Sequence, residues 1–433
     1  MAARRNRDWL RLDNAGKIFP STYGKKDTSV FRFSCELYEP IDPKLLQQAV
    51  DRTVEKFPHF LFVLRSGLFW YYLERSALRP AVHEENRPPC APLYIKNKKN
   101  LLFDVSYYRG RINLEVYHAL CDGTGALQFL KTLVYYYLLL LRRQTPEGEP
   151  PAAQVDAPVL DYDASISQRT EDSFQKYFQR GKKDKQIVFS ERAYQLSGSE
   201  APLGRYQVIQ GLVSCKEMLA LAGSMGVSLT VLISALLACA IDPEMPLWKK
   251  RFPVVLNIPV NLRKRFPSET ARNFFGNIRV KYRFDKGGGL EAVTAALKAE
   301  FERELDMDQL TRRINKLTAF EHNYLARIAP LALKDFCLKL ARRISDRGDT
   351  AVISNIGKVA MPAEFAPDIQ RMYVLSSTRN LNLCICSYED QLVLSFTSVY
   401  SDTDIQRNFF RQITQRGIAV EIRSNCDDAP REG

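Results

Sequence analysis

One histidine in this chain of 433 residues has neighbours that suit acid–base chemistry. His118 is followed by Asp122 and Gly123, which gives the pattern HxxxDG. A neutral imidazole can take a proton from a hydroxyl or amine near pH 7, so His118 is a candidate general base. Gly123 permits close backbone approach to a substrate, and its N–H could stabilise a developing oxyanion. A hydrogen-bonded core histidine and a plain turn glycine are the alternative interpretations.

The residues around this pattern predict a strand, a tight turn and a helix. Apolar residues at every second position from Ile112 to Val116 place His118 on the apolar side of a strand end. From Leu127 to Leu141 the apolar residues follow helical spacing. The HxxxDG pattern is therefore predicted to lie at a strand-to-helix turn.

Four further segments accompany HxxxDG. They are WLRLDNAGKIFP near the start, PVNLR at Pro259–Arg263, NFFGN at Asn273–Asn277 and SNIG at Ser354–Gly357. With these segments in this order, the sequence resembles the chloramphenicol-acetyltransferase-like superfamily, which includes alcohol acetyltransferases, polyketide-associated acyltransferases and the condensation domains of peptide synthetases. The resemblance covers nearly the whole chain and is closest to bacterial alcohol acetyltransferases.

The resemblance implies a role for each residue of the motif. His118 would accept the proton of the nucleophile, and Asp122 would hold the loop by pairing with an arginine. Arg263, at the end of PVNLR, is the candidate partner, and a surface arginine unrelated to Asp122 is the alternative. Ser354 and Asn355 follow an apolar run, so they are candidate substrate-binding residues in a tunnel, or else polar strand-end residues without a function.

Two neighbours of His118 bear on the subfamily and the mechanism. Position 117 is tyrosine, where condensation domains usually show a second histidine. The DFGWG-type segment of plant acyltransferases is also absent. Cys121 could act as a nucleophile, but the resembled proteins transfer the acyl group directly within a ternary complex, so covalent catalysis is not expected.

The function that the resemblance implies is that of an acyl-CoA-dependent O-acyltransferase. Acyl-CoA would be the co-substrate, a small alcohol or amine the acceptor, and no cofactor would be bound permanently. A condensation-type enzyme or N-acyltransferase that uses an acyl thioester on a carrier protein is the alternative. A non-catalytic interaction protein is a third possibility, which the intact HxxxDG disfavours.

Length and composition indicate a large folded protein with two lobes. Hydrophobic residues make up 45% of the chain and aromatic residues 11%, which excludes disorder. Strand and helix patterns are mixed on both sides of a proline-rich segment, which predicts the α/β class with mixed sheets. The expected division is an N-terminal lobe at 1–150 that carries HxxxDG, a linker at 151–165 and a C-terminal lobe at 166–433. The resemblance implies two chloramphenicol-acetyltransferase-like lobes in a V-shaped pseudo-dimer with a tunnel between them.

The net charge of +13 is partly concentrated in one stretch. Between Thr311 and Arg347 there are nine Lys or Arg and three acidic residues, on two predicted helices broken near Pro330. A solvated helix face, phosphate contact and weak attraction to an anionic membrane surface are the open interpretations. No nucleic-acid-binding motif accompanies the charge, so nucleic acid is not an expected partner.

The remaining features predict a cytoplasmic protein without a metal site. The basic start lacks the apolar stretch of a secretory signal, and the longest apolar run, Val227–Ile241, is shorter than a membrane span and predicts a core helix. The nine cysteines are odd in number and include no CxxC pair, which indicates reduced thiols. The four histidines have no paired spacing, so no metal ligands are expected.

Overall fold

The computed structural model describes residues 9–144, 173–178 and 191–425, apart from 14, 25, 203, 269, 271, 286 and 323–327. Within these ranges the chain forms three β-sheets with helices packed against them. The strands, β1 to β15, are Trp9–Arg11, Val30–Leu37, Phe62–Ser66, Tyr71–Arg75, His83–Glu84, Phe103–Tyr108, Arg111–Tyr117, Gln207–Ser214, Val254–Asn261, Phe275–Tyr282, Ala351–Val359, Ile369–Ser376, Leu381–Tyr388, Gln391–Ser398 and Glu421–Ser424. The α-helices, α1 to α10, are Ile18–Thr22, Pro43–Lys56, Gly123–Gln144, Ser173–Lys176, Cys215–Ser224, Leu229–Ile241, Leu290–Glu304, Met307–His322, Leu331–Asp346 and Asp404–Thr414.

A five-stranded sheet in the order β12-β2-β7-β6-β5 carries the HxxxDG pattern. Strand β7 ends at Tyr117 and pairs antiparallel with β2. The His118 N–H continues this pairing by donating to the Ser29 carbonyl at 2.9 Å. Helix α3 begins at Gly123, so the predicted strand, turn and helix are confirmed.

The C-terminal part of the chain supplies a strand to this sheet. Strand β12 pairs antiparallel with β2 along its length, with Met372 opposite Cys35. The sequence did not predict this exchange, because nothing in an alternating strand pattern identifies a distant partner. The predicted linker at 151–165 lies outside the described residues, so the boundaries of the two lobes stay a prediction.

A seven-stranded sheet in the order β10-β9-β11-β13-β14-β8-β15 separates two hydrophobic cores. Its strand β13 is buried on both faces. Leu383 and Ile385 belong to the core made mostly by the C-terminal part, whereas Cys384 and Cys386 belong to the core that contains α3. The sheet is therefore an internal layer, and its apolar strands show little alternation for that reason.

Two helical segments are apolar enough to compare with membrane spans. Helix α3 meets the length and composition of a span over Gly123–Arg143, but 78% of its apolar window is buried inside the protein. Helices α5 and α6 meet them only as a pair bent by 85°. Because α6 is buried along Leu229–Ile241, the predicted core helix at this position is confirmed.

The described part of the basic stretch contains helices α8 and α9, on the two sides of the predicted break. Helix α8 ends at His322, and Pro330 directly precedes α9. Proline restricts the residue before it away from helical geometry, so a break at this point is expected.

The close packing of Gly211 in β8 against Phe410 in α10 can be tested by substitution. A Cβ on Gly211 of β8 would overlap Cε1 of Phe410 in α10, a buried ring. We expect Gly211→Ala to lower the free energy of unfolding by about 1–3 kcal/mol, because the ring must shift in a packed core. Gly223→Ala in α5 is the matched control, since nothing lies within 4 Å of its Cβ position. It should leave stability unchanged or raise it by up to about 1 kcal/mol. Urea unfolding measures both, and an equal effect would contradict the close contact.

Candidate active site

The imidazole of His118 is enclosed by three aromatic rings. Phe19 of α1 stacks on it with a centroid distance of 4.7 Å and an interplanar angle of 12°. Phe31 of β2 lies at 4.6 Å and Phe275 of β10 at 5.9 Å. Rings from an N-terminal helix and from both large sheets therefore fix the plane of the imidazole.

The two nitrogens of the imidazole have different surroundings. The side chain is half-buried, but its Nδ1 is fully enclosed. Nε2 is thus the nitrogen left for a substrate. Burial lowers the pKa of His118, while the Asp122 carboxylate and the Asn273 side chain act in the opposite direction. A lowered pKa keeps the imidazole neutral at pH 7, as a general base requires.

Asp122 is buried and its carboxylate is fully engaged. Oδ1 accepts from the backbone N–H groups of Thr124 at 3.1 Å and Gly125 at 3.2 Å, which caps the N-terminus of α3. Oδ2 accepts from Phe274 N at 2.9 Å and from Arg263 Nη1 at 2.7 Å. The carboxylate therefore holds the loop after His118 and is not free to act on a substrate.

Arg263 organises the other side of this contact. Its side chain is 9% exposed and its guanidinium pairs with Asp122, which confirms the predicted ion pair. It also donates from Nε to the Thr270 carbonyl at 3.0 Å and from Nη2 to the Arg272 carbonyl. Arg263 thus links the HxxxDG loop to the chain that leads into β10.

A second polar link reaches His118 through residues that the sequence analysis did not assign to the site. Asn273 Nδ2 donates to the His118 carbonyl at 3.1 Å and to Asp13 Oδ2 at 3.2 Å. Asp13 is 1% exposed, and its Oδ1 accepts from Gly16 N at 2.6 Å. The segments WLRLDNAGKIFP and NFFGN were the available signal, but only the fold shows that they meet beside His118.

Gly123 lies where β11 approaches the start of α3. A Cβ at this position would be 3.2 Å from Cδ1 of Ile356, which is closer than ordinary van der Waals contact. Because Asp122 takes the N–H groups of Thr124 and Gly125, the Gly123 N–H is the first-turn amide that the carboxylate leaves unused. The position suits the oxyanion role that the sequence suggested, and that role stays a prediction.

Ser354 and Asn355 both have partners within the protein. Asn355 Nδ2 donates to Thr230 Oγ1 at 2.8 Å, and its Oδ1 accepts from Gly357 N at 2.8 Å. These bonds support an irregularity in β11 between Asn355 and Gly357. Ser354 pairs in register with Cys384 and hydrogen-bonds its thiol. The contacts give both residues a structural use, and their binding of substrate stays a prediction.

The cysteine beside His118 is not prepared for nucleophilic chemistry. Cys121 is fully buried, and burial raises the pKa of its thiol well above the ordinary value. It is therefore a neutral thiol at pH 7. The eight cysteines in the described part of the chain are all free. In that same part, no group of three or more His, Cys, Asp or Glu side chains could hold a metal ion.

Comparison of sequences identifies no relative. No family model matches the chain, and no curated protein is significantly similar to it.

Comparison of structures identifies the fold. Polyketide synthase associated protein 5 from Mycobacterium tuberculosis aligns with a TM-score of 0.61 at 15% identity, over 93% of this chain and 96% of that one. TRI101 of F. sporotrichioides, crystallised with coenzyme A and T-2, aligns with a TM-score of 0.61 at 12% identity, over 96% and 99%. The first condensation domain of the calcium-dependent antibiotic synthetase aligns with a TM-score of 0.61 at 14% identity, over 96% and 100%. The chain thus has the same mixed α/β fold as these three structures.

The buried ion pair is open to a double-mutant test. Asp122→Ala or Arg263→Ala alone should lower the free energy of unfolding by about 3–5 kcal/mol, because the remaining charge is left unpaired in the interior. The double variant should lose less than the sum of the two. Lys26 and Glu200 form a pair that is 54% exposed on both sides, and the same cycle there should give changes below about 1 kcal/mol. Unfolding in urea, which adds no salt, measures the free energy of unfolding for both cycles. Additive losses at Asp122 and Arg263 would show that the pair is not coupled.

Proposed function

We propose that this protein is an acyl-CoA-dependent O-acyltransferase in which His118 is the general base. The observation that carries the proposal is the state of the imidazole, which has an enclosed Nδ1, a lowered pKa and a fixed ring plane at a strand-to-helix turn. The fold that the chain shares with TRI101, whose structure contains coenzyme A, supports a thioester as the donor.

In the proposed reaction one proton passes from the acceptor hydroxyl to His118 and then to the leaving thiolate. An acceptor hydroxyl gives its proton to Nε2 of His118 while its oxygen attacks the thioester carbonyl. The carbonyl oxygen then carries a negative charge, which the Gly123 N–H at the start of α3 stabilises. Collapse of this intermediate breaks the carbon–sulfur bond, and the departing thiolate takes the proton from Nε2. Asp122 and Arg263 keep the loop in place and exchange no proton.

A condensation-type enzyme or N-acyltransferase is the second candidate, because the same fold includes a condensation domain. Such an enzyme would take its acyl group from a carrier protein. Tyr117 bears on this choice, since it is fully buried and stacks on Tyr94 at a centroid distance of 5.4 Å. The residue before His118 therefore belongs to the core and supplies no second imidazole. We accordingly favour free acyl-CoA as the donor. The proposal keeps a small alcohol as the acceptor and the cytoplasm as the location, as predicted from the sequence.

The first test measures thiol release from acetyl-CoA with a panel of small alcohols. The protein should show turnover, and His118→Ala should lower kcat/KM by about 10²- to 10⁴-fold, because the proton then has no acceptor. The thermal midpoint should fall by a few degrees at most, because the ring packs against Phe19 and Phe31 but the side chain is only half-buried.

His83→Ala is the matched control for this test. His83 is a histidine of β5 that contacts Asp104 at 3.0 Å, and its replacement should leave kcat/KM unchanged. Full activity of His118→Ala would refute the proposed base. Transfer from an acyl-pantetheine carrier protein but not from acetyl-CoA, or to amines alone, would establish the second candidate instead.

The pH dependence provides an independent test. Only neutral His118 can accept a proton, and burial lowers its pKa from the ordinary value of 6.5. Activity should therefore persist below pH 6.5 and fall at still lower pH as the imidazole becomes protonated. A profile of kcat/KM against pH should show an acidic limb with an apparent pKa below 6.5. An acidic limb centred above 6.5 would contradict the role of burial.

A further inference from the structure

The outer face of α9 is apolar although it faces solvent. Leu333, Phe336, Leu340 and Ile344 are 53%, 66%, 50% and 50% exposed. Their spacing of three, four and four residues places them in one line along the helix. A helix of 16 residues is about 24 Å long, so this line is an extended surface and not a single exposed side chain. Exposed apolar surfaces of this kind mark sites of interaction.

The inner face of α9 is polar and is held by specific contacts. Lys334 is 7% exposed, and its Nζ lies 3.6 Å from the centroid of the Trp70 ring. Asp335 accepts hydrogen bonds from Ser21 Oγ at 2.6 Å and from Tyr71 Oη at 2.8 Å. These contacts fix the rotation of the helix about its axis. The polar side is thus turned inward and bonded, which holds the apolar side outward.

The apolar surface continues onto the hairpin between β3 and β4. Leu68 and Phe69 at the tip of this hairpin are 83% and 46% exposed. Leu331 N donates to the Leu68 carbonyl at 2.9 Å, which places the tip at the first residue of α9. The hairpin tip and the exposed line of α9 are therefore neighbours. Their exposed apolar residues are together called the apolar ridge, which consists of Leu68, Phe69, Leu333, Phe336, Leu340 and Ile344.

The charges beside the apolar ridge are positive. Lys339 and Arg343 of α9 are exposed, and neither forms an ion pair with any residue that the structure describes. The two carboxylates of the helix are turned away from the ridge. Asp335 makes the inner contacts given above, and Asp346 lies 2.9 Å from Arg379 Nη1. The ridge is thus bordered by cations without a carboxylate of its own helix.

We propose that the apolar ridge docks on a membrane surface that contains anionic lipids. Helix α9 would lie in the membrane plane with the ridge at the boundary between headgroups and acyl chains. Lys339 and Arg343 would then contact lipid phosphates. This selects one of the three interpretations that the basic sequence left open, and it does not depend on the proposed acyl transfer.

The same charges disfavour a second copy of the chain as the occupant. Two ridges packed face to face would bring Lys339 and Arg343 of one copy towards the same residues of the other. Like charges repel, and α9 offers no outward carboxylate to pair with them. An anionic bilayer supplies both the apolar layer and the opposite charge.

The test uses the full chain and sedimented vesicles of phosphatidylcholine, alone or mixed with phosphatidylglycerol. The protein should bind the mixed vesicles and be released as salt screens the charges. Phe336→Glu combined with Leu340→Glu should weaken this binding at least about tenfold. The matched control combines Leu247→Glu with Trp248→Glu, since these side chains are 86% and 66% exposed outside the ridge. It should bind as the parent does.

A third variant separates charge from apolar contact. Lys339→Glu combined with Arg343→Glu should remove the preference for phosphatidylglycerol. All variants replace exposed side chains, so their thermal midpoints should match that of the parent. The proposal would be overturned if the parent did not bind the mixed vesicles. It would also be overturned if the control pair Leu247→Glu and Trp248→Glu lost as much vesicle binding as the pair Phe336→Glu and Leu340→Glu. A second copy of the chain would be the occupant if two results were found together. The parent would not bind vesicles, and ultracentrifugation would show a dimer that Phe336→Glu combined with Leu340→Glu dissociates.

Discussion

The contact of Asp122 with Arg263 is the constraint on which the candidate site depends. The Asp122 carboxylate caps α3 and also accepts hydrogen bonds from the Arg263 guanidinium and from Phe274 N. One side chain thus joins the end of β7, the start of α3 and the approach to β10. A buried pair of this kind contributes little net stability after desolvation. Its contribution is geometric, because both charges are satisfied when the loop, the start of α3 and the approach to β10 lie together. The position of His118, four residues earlier, follows from that arrangement.

The surroundings of His118 show why the site needs most of the chain. Phe19 comes from α1, Phe31 from β2 and Phe275 from β10, and the Asn273 amide holds the His118 carbonyl. None of these groups is supplied by the segment that carries the motif. The imidazole is therefore oriented by packing from two distant parts of the sequence, residues 19–31 and 273–275, and its burial, which lowers its pKa, has the same origin.

Local elements could be predicted from the sequence, whereas the partners of those elements could not. The strand Val30–Leu37 has apolar residues at alternate positions, and the helix Pro43–Lys56 begins with an Asp42 cap followed by proline, so both are specified by local signals. The motif itself placed His118 correctly at a strand end. The links through Asp13 and Asn273 were missed, since a buried carboxylate has no signature in its own neighbourhood. Helix α9 also has a clear period, but period alone does not show which face turns inward.

The exchange of β12 into the sheet of β2 has a consequence for biosynthesis. The Val30 N–H donates to the hydroxyl of Ser377, a residue 347 positions later in the chain. A ribosome therefore releases the first strands, β2 among them, long before the strand that completes their edge exists. Until then this edge has unpaired backbone groups, which is the condition that favours wrong pairing between nascent chains. Completion of this sheet thus waits for β12, and a chain that stops before Ile369 would leave the β2 edge of the sheet that carries His118 unpaired.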